Sequence, residues 1–148
     1  MKQSHSLLLI AAFIGLILLS ACGGGNNGNT SNVPQTICNL DTDTVSFSSH
    51  VTPIFIEICT ECHMPGTLFD QKPYLTAENA YNNLVANPVR APGSIPFVIA
   101  GDPENSQIYR KIIGDERAGD QMPLGRTPLT TDQMCYFKKW ITQGAKNN

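Results

Sequence analysis

The sequence predicts an all-α domain of about four helices, and two observations support that fold class. Apolar residues recur at helical spacing in four separate stretches, each bounded by capping or helix-ending residues. No two stretches show the alternation of apolar and polar residues expected for paired strands. We expect this domain to span residues 38–148, preceded by two segments of different composition, 1–21 and 22–37.

The segment 1–21 has the properties of an export signal. Lys2 precedes an apolar run from Leu7 to Leu19 that is too short to span a bilayer. The following Leu19-Ser20-Ala21-Cys22 resembles a bacterial lipobox, in which cleavage leaves Cys22 as a lipid-bearing N-terminus. The alternative is an ordinary signal peptide that is cut nearby and leaves Cys22 unmodified. We expect a lipoprotein anchored to the membrane through Cys22.

Residues 22–37 are rich in glycine and asparagine and offer almost no apolar surface to bury. Such a segment predicts a flexible tether, and about 15 residues of this composition span roughly 20 Å on average. Gly23 stands where lipoproteins retained in the inner membrane carry aspartate. By that resemblance we expect the outer membrane of a bacterial envelope, with the domain facing the periplasm.

The charge balance argues against a nucleic-acid partner. Without the signal segment, which carries Lys2, the chain has 9 basic and 12 acidic residues, a net charge of −3. No basic face is evident along the predicted helices, and nucleic-acid binding normally requires one. The expected partners are therefore other proteins and the membrane.

The first predicted helix leads into the most informative motif of the chain. Its apolar stripe includes Val51, Ile54, Phe55 and Ile58, and Pro53 fits only in the opening turn. The stripe runs into Cys59-Thr60-Glu61-Cys62-His63, a C-x-x-C-H pattern typical of c-type haem attachment.

The spacing of this motif explains its chemistry. Cys59 and Cys62 lie on one face of a helical turn, so each thiol can add to one vinyl group of haem. His63 then lies under the ring, where its imidazole can bind iron. We therefore expect one covalently bound haem c.

A thioredoxin-like thiol oxidoreductase that uses Cys59 and Cys62 is the main alternative. Ile54, Ile56 and Ile58 alternate as a strand leading into a C-x-x-C pair would. That fold needs a helix continuing from the second cysteine, whereas Met64-Pro65-Gly66 predicts a turn. The turn favours haem attachment.

Two further cysteines, Cys38 and Cys135, stand far apart in the sequence. They do not form the second close pair that a structural zinc site would need. In an oxidising compartment a Cys38–Cys135 disulfide is expected. The alternative is two buried free thiols.

The three later helices are predicted from their capping residues. The second is expected over 76–85, opened by a threonine. The third is expected over 102–114, opened by an Asp-Pro pair and closed by glycine. The last is expected over 130–144, opened by a Thr-x-x-Gln capping box and again closed by glycine. Irregular loops separate these helices.

An electron-carrying haem needs a second strong axial ligand, and Met122 is the favoured candidate. It lies well downstream of His63, in a loop where Pro123 stiffens the backbone. Met64 adjoins His63 and cannot reach round the ring, and Met134 belongs to the apolar stripe of the last helix. The histidine alternative is His50. An open iron position is also considered.

Residues from about 45 to 145 resemble a class I type cytochrome c domain. The resemblance rests on the C-x-x-C-H motif, on 101–106 (Gly-Asp-Pro-x-x-Ser), on Met122-Pro123 and on 140–145 (Trp-Ile-x-x-Gly-Ala). It implies that the first and last helices cross, and that His63 and Met122 are the axial ligands. The proline-rich region 87–96 and the Cys38/Cys135 pair depart from the family pattern.

These features favour an electron carrier over an enzyme. No paired carboxylates, Ser/His arrangement or phosphate loop is visible. We expect a tethered monohaem cytochrome that passes single electrons between envelope redox partners, alone or as a redox subunit of a larger enzyme. The competing class is a haem-based sensor or ligand-binding module. Four arginines could pair a haem propionate or remain solvated: Arg90, Arg110, Arg117 and Arg126.

Overall fold

The computed structural model describes residues 38–88 and 90–148. The predicted signal segment, Cys22 and the tether lie outside the described residues. Within the described ranges the backbone forms helices and turns and no strand, which confirms the all-α class. None of the helices in these ranges is long and apolar enough to cross a membrane.

The first helix, α1, consists of three abutting segments: Phe47–Val51, Thr52–Ile54 and Phe55–Cys59. The first and third have π-type hydrogen bonds. Pro53 lies in the opening turn of the α-helical segment Thr52–Ile54, as predicted, but a π-type segment precedes it, so the helical stretch begins earlier than expected. Because proline cannot donate a backbone hydrogen bond, an ordinary α-helical ladder cannot pass through it. The wider π-type turns lie on either side of this missing backbone hydrogen bond.

Three shorter helices follow α1. They are α2 (Asn82–Ala86, π-type), α3 (Gln107–Ile113) and α4 (Thr131–Thr142), with 3-10 turns at Pro103–Asn105 and Glu116–Ala118. Helix α4 opens with the predicted capping box. Thr130 Oγ1 accepts from the Gln133 amide at 3.2 Å, and Gln133 Oε1 accepts from the Thr130 amide at 2.9 Å.

The third predicted helix is interrupted at Ser106, whose backbone is extended (φ −82°, ψ 124°). The Ser106 hydroxyl is fully buried, donates to the Asp102 carbonyl at 2.8 Å and accepts from the Ile99 amide at 2.8 Å. Serine competes with helical hydrogen bonding through such local bonds. The predicted helix is thus a 3-10 turn followed by α3, which ends at Gly114 in the left-handed conformation (φ 74°).

Helices α1 and α4 pack through a chain of aromatic rings. The Phe47 ring centroid lies 5.1 Å from that of Trp140 and 5.3 Å from that of Tyr81, and Phe55 lies 5.2 Å from Phe137. All except Tyr81, which is partly buried, are almost completely buried. The first and last helices are therefore in direct contact, as expected.

A disulfide joins Cys38, ahead of α1, to Cys135 in α4, and their Cα atoms are 5.3 Å apart. That separation is within the usual range for disulfides. Trp140 donates its indole N–H to the Lys146 carbonyl at 2.9 Å, which fixes the chain that follows α4. One end of α1 is thus held against α4, and its other end carries the C-x-x-C-H motif.

Candidate functional site

The C-x-x-C-H motif forms a tight turn at the end of α1. The Cys59 carbonyl accepts from the Cys62 amide at 3.2 Å and from the His63 amide at 2.9 Å. Thr60 closes the last π-type turn by donating to the Phe55 carbonyl at 3.0 Å. The turn brings both cysteines and the histidine together within about one helical turn, as the spacing predicts.

Both motif cysteines are free thiols and are partly buried. Burial, together with the neighbouring charge of Cys62, raises the pKa of the Cys59 thiol to about 12. Reactive thiols of disulfide oxidoreductases have lowered pKa values, because the thiolate is the attacking species. The environment of Cys59 is therefore unlike that of a redox-active C-x-x-C pair.

The His63 imidazole is oriented by a backbone carbonyl. Its Nδ1 lies 3.0 Å from the Pro73 carbonyl oxygen, which can only accept, so Nδ1 carries the proton. The lone pair of the neutral ring is then on Nε2. A metal-binding histidine typically donates its other ring N–H to such a carbonyl. His63 is therefore in the tautomer that an iron ligand requires.

The loop 64–75 is fastened to the motif. The Gln71 amide donates to the Cys62 carbonyl at 2.8 Å, and the Leu75 amide donates to the His63 carbonyl at 2.7 Å. A side-chain hydrogen bond to Asp70 raises the pKa of Tyr74. These bonds fix the position of Pro73, and with it the orientation of His63.

Met122 is half-buried in a loop that is anchored at both ends. Its amide donates to the Lys111 carbonyl of α3 at 2.9 Å. On the other side, Arg126 forms an ion pair with Glu61 inside the C-x-x-C-H motif. The segments that carry His63 and Met122 are therefore neighbours, although 59 positions separate these two residues in the sequence.

The other candidate ligands have different environments. His50 accepts the Ser46 amide on Nδ1 at 3.0 Å and packs its ring on Tyr136 at 5.1 Å, within the helix cap of α1. Met134 packs against the core, as expected for the stripe of α4. Met64 is 40% exposed.

Exposed large hydrophobic side chains are concentrated in the segments near the motif. The exposed large hydrophobic side chains of the described ranges all lie near the motif in sequence or in the Met122 loop: Ile56, Met64, Leu68, Phe69 and Leu124. Leu68 is 94% exposed and Leu124 is 63% exposed. Elsewhere in the described ranges, large apolar side chains are at least partly covered.

Elsewhere in the described ranges the structure offers little further chemistry. A cleft of about 480 Å³ lies beside the start of α1 and is lined by residues such as Phe47, Tyr81 and Glu78. None of its lining residues belongs to the motif or to the Met122 loop, and it contains no thiol or imidazole. In residues 38–88 and 90–148 no group of three or more His, Cys, Asp or Glu side chains is arranged to hold a metal ion.

Sequence reasoning named the two thiols, His63 and Met122 as candidates, but it missed the contacts that hold them in place. The Pro73 carbonyl and the Glu61–Arg126 ion pair have no sequence signal, because each depends on how a loop folds back. Arg126 was considered as a propionate partner and is instead paired with Glu61.

Comparisons with known proteins point to a likeness in structure. No family model matches the chain, and no curated protein matches it either. Among solved structures, the chain is similar to Kuenenia stuttgartiensis hydrazine synthase, with a TM-score of 0.50 and 22% sequence identity. The match covers 69% of this chain and 16% of that chain. At this identity the likeness concerns the fold alone, and it shows that a similar helical arrangement occurs within a much longer enzyme chain.

Proposed function

We propose that this protein is a c-type cytochrome domain that carries single electrons between redox partners. The observation that carries the proposal is the His63 imidazole, oriented through Nδ1 by the Pro73 carbonyl beside two free thiols in a C-x-x-C-H turn. The residues fit haem c chemically, with Cys59 and Cys62 for covalent attachment and His63 Nε2 and the Met122 thioether as axial ligands. Bound haem supplies a one-electron iron couple.

The protein's own groups provide the conditions for fast transfer. The bonds around 64–75 and the two anchors of the Met122 loop would hold both ligands in place in either redox state. The exposed apolar side chains near the motif and in the Met122 loop would offer a redox partner points of brief contact, since such encounters bury little area. The predicted tether from Cys22 would keep this surface near membrane-bound partners.

The first test is the mass of protein matured in cells that contain a cytochrome c assembly system. We expect one added haem per chain that survives acid extraction. In a Cys59→Ser, Cys62→Ser variant, covalent haem should be lost. A reversible Cys59–Cys62 disulfide on haem-free native protein from those cells would instead establish the thioredoxin-like alternative.

The second test separates a carrier from a haem-based sensor. If Met122 occupies the sixth position, carbon monoxide should bind the reduced protein slowly or not at all. Met122→Ala should open that position and lower the reduction potential, because Met/His ligation raises it. Met64→Ala, which removes an exposed thioether, is the matched control. Rapid, tight carbon monoxide binding to the unmodified protein would contradict the carrier function.

The envelope location is part of the same proposal. We expect labelled fatty acid to be incorporated at Cys22 and the mature protein to fractionate with the outer membrane. Cys22→Ser should prevent both. Native protein without lipid, cleaved at another residue, would refute the lipoprotein assignment while leaving the haem assignment intact.

A further inference from the structure

The loop that carries Met122 is held firmly on the side that faces α3. Three hydrogen bonds join this side of the loop to the helix. The Met122 amide donates to the Lys111 carbonyl at 2.9 Å, and Lys111 Nζ donates to the Asp120 carbonyl at 3.2 Å. Gln121 donates its side-chain amide to the Ile112 carbonyl at 3.0 Å. The backbone of Met122 is therefore fixed relative to α3.

The residues that follow Met122, 123–128, have much less support. They are exposed apart from Pro123, which is half-buried. The Arg126 amide donates to the Pro123 carbonyl at 3.3 Å, which is a bond inside the loop itself. Among the hydrogen bonds and ion pairs of the described ranges, the ion pair from Arg126 to Glu61 is what joins this half of the loop to another element. Because Glu61 belongs to the C-x-x-C-H turn, the pair links the loop to the motif that contains His63.

The Glu61–Arg126 pair is a weak link because both side chains are about half exposed, 51% for Glu61 and 52% for Arg126. Water and dissolved ions reach both groups, so their attraction is screened and weakens further as the salt concentration rises. Exposed ion pairs of this kind shift an equilibrium by about two- to fivefold. A link of this strength favours the closed loop without locking it.

We propose that the Glu61–Arg126 ion pair is a salt-sensitive latch that keeps the Met122 thioether at the sixth position of the haem iron, and this inference rests on the proposed function. When the pair opens, the chain after Met122 loses its link to the motif, and the thioether is free to leave. Glu61 and Arg126 are positioning residues, because both act through Met122. The latch thereby determines how often an external ligand can reach the iron.

The test measures how fast carbon monoxide binds to the reduced, full-length holo-protein. Carbon monoxide can bind only while Met122 is off the iron, so the rate reports the open fraction. Rates are compared at about 0.01 M and about 1 M salt, between which the Debye length falls from about 30 Å to about 3 Å. The covalent haem content of every variant is measured first, so that failure of the proposed function is recognised separately.

Arg126→Gln and Glu61→Gln should each raise the rate about two- to fivefold at low salt. Both should have little effect at high salt, where screening has already weakened the pair. The effects of the two substitutions should not add when they are combined, because either one removes the same interaction. Exchanging the charges, with Glu61→Arg and Arg126→Glu together, should restore the slow rate.

Glu57→Gln is the matched control. Glu57 lies one helical turn before Glu61, is exposed and forms no ion pair within the described ranges. This variant removes the same charge from the same region and leaves the latch intact. Amide hydrogen exchange gives a readout that does not involve the iron. Exchange of the Arg126 amide should quicken in Glu61→Gln but not in Glu57→Gln, whereas the Met122 amide, held by α3, should be unchanged in both variants.

Slow carbon monoxide binding that both single variants leave unchanged, or that Glu57→Gln changes equally, would overturn the latch and leave the proposed function intact. A charge-exchanged protein that binds as fast as the single variants would also overturn it, because local packing and not the ion pair would then hold Met122. Rapid binding to the unmodified protein at both salt concentrations would contradict the proposed function itself, and the latch with it.

Discussion

The two ends of helix α1 are completed in different ways. At its N-terminal end, the Phe47 ring packs against Tyr81 and against Trp140 of α4. Helix α4 is also joined by the Cys38–Cys135 disulfide to the chain ahead of α1. At its C-terminal end are two free thiols, and exposed apolar side chains such as Leu68 follow shortly after it in the sequence. Protein side chains cover the first end, whereas thiols and apolar side chains at the second end are left partly exposed.

This difference separates the part of α1 that stabilises the fold from the part on which the proposed function depends. Burial of large aromatic side chains is among the largest contributions to the stability of a small domain. The exposed apolar residues near the motif contribute little to the described fold, since they bury little surface. Mutations should therefore separate the two ends, and the following predictions run from the largest expected effect to the smallest.

Removing the disulfide should have the largest effect on stability. Replacing Cys38 and Cys135 with alanine frees a loop closed over a sequence separation of 97, for which chain-entropy models give about 4–5 kcal/mol. Chemical denaturation of holo-protein should show this loss in the free energy of unfolding. Two alkylatable thiols in freshly isolated native protein would mean that the bridge is absent from the cell.

Trp140→Ala tests the enclosed end directly and should cost about 3–5 kcal/mol, because the ring is almost fully buried against Phe47. The matched substitution at the other end is Leu68→Ala, which should change the free energy of unfolding by less than about 0.5 kcal/mol. Denaturant titrations of both variants give the comparison. Equal losses would show that the two ends are not energetically distinct.

Asp115 provides a pH-dependent test outside both ends. Its carboxylate is buried, and hydrogen bonds from Arg117 hold its pKa below the usual value. Because the pKa is lower in the folded state than in the unfolded state, the ionised Asp115 carboxylate stabilises the fold. This stabilisation is complete above the ordinary aspartate pKa of about 3.9 and is lost as the pH falls through the folded-state pKa. Asp115→Asn should therefore lower Tm at neutral pH and have a smaller effect in strong acid.

The control for this prediction is Asp41→Asn, which changes an exposed carboxylate. Its Tm should follow that of the unmodified protein across the same pH range. A Tm difference for Asp115→Asn that stays constant from neutral pH to strong acid would contradict the ionic explanation.

The smallest expected effect is on encounters with partners. Leu68→Ser and Phe69→Ser should leave Tm unchanged and slow electron exchange with a redox partner by about fivefold, which corresponds to about 1 kcal/mol. Stopped-flow oxidation by a soluble cytochrome measures this rate, with the exposed Thr142→Ser of α4 as control. Unaltered rates in both apolar variants would show that Leu68 and Phe69 do not contact the redox partner.

Part of the fold was predictable because it depends on local sequence. The capping box at Thr130, the end of α3 at Gly114 and the stripe leading into Cys59 are set by residues a few positions apart. The helical segment ahead of Pro53 and the break of the third predicted helix at Ser106 were not predicted, for the same physical reason. Pro53 and Ser106 each change the local backbone hydrogen bonding, and the surrounding packing accommodates the change. The spacing of apolar residues does not predict such changes.

The sequence by itself determined the helical class and the C-x-x-C-H turn, because both are encoded in residue type and spacing. Only the tertiary structure decided that the Pro73 carbonyl orients His63 and that Arg126 is used by Glu61. These contacts join residues from separate loops. Which residues meet in these contacts depends on how the whole chain folds, and the local sequence does not specify that.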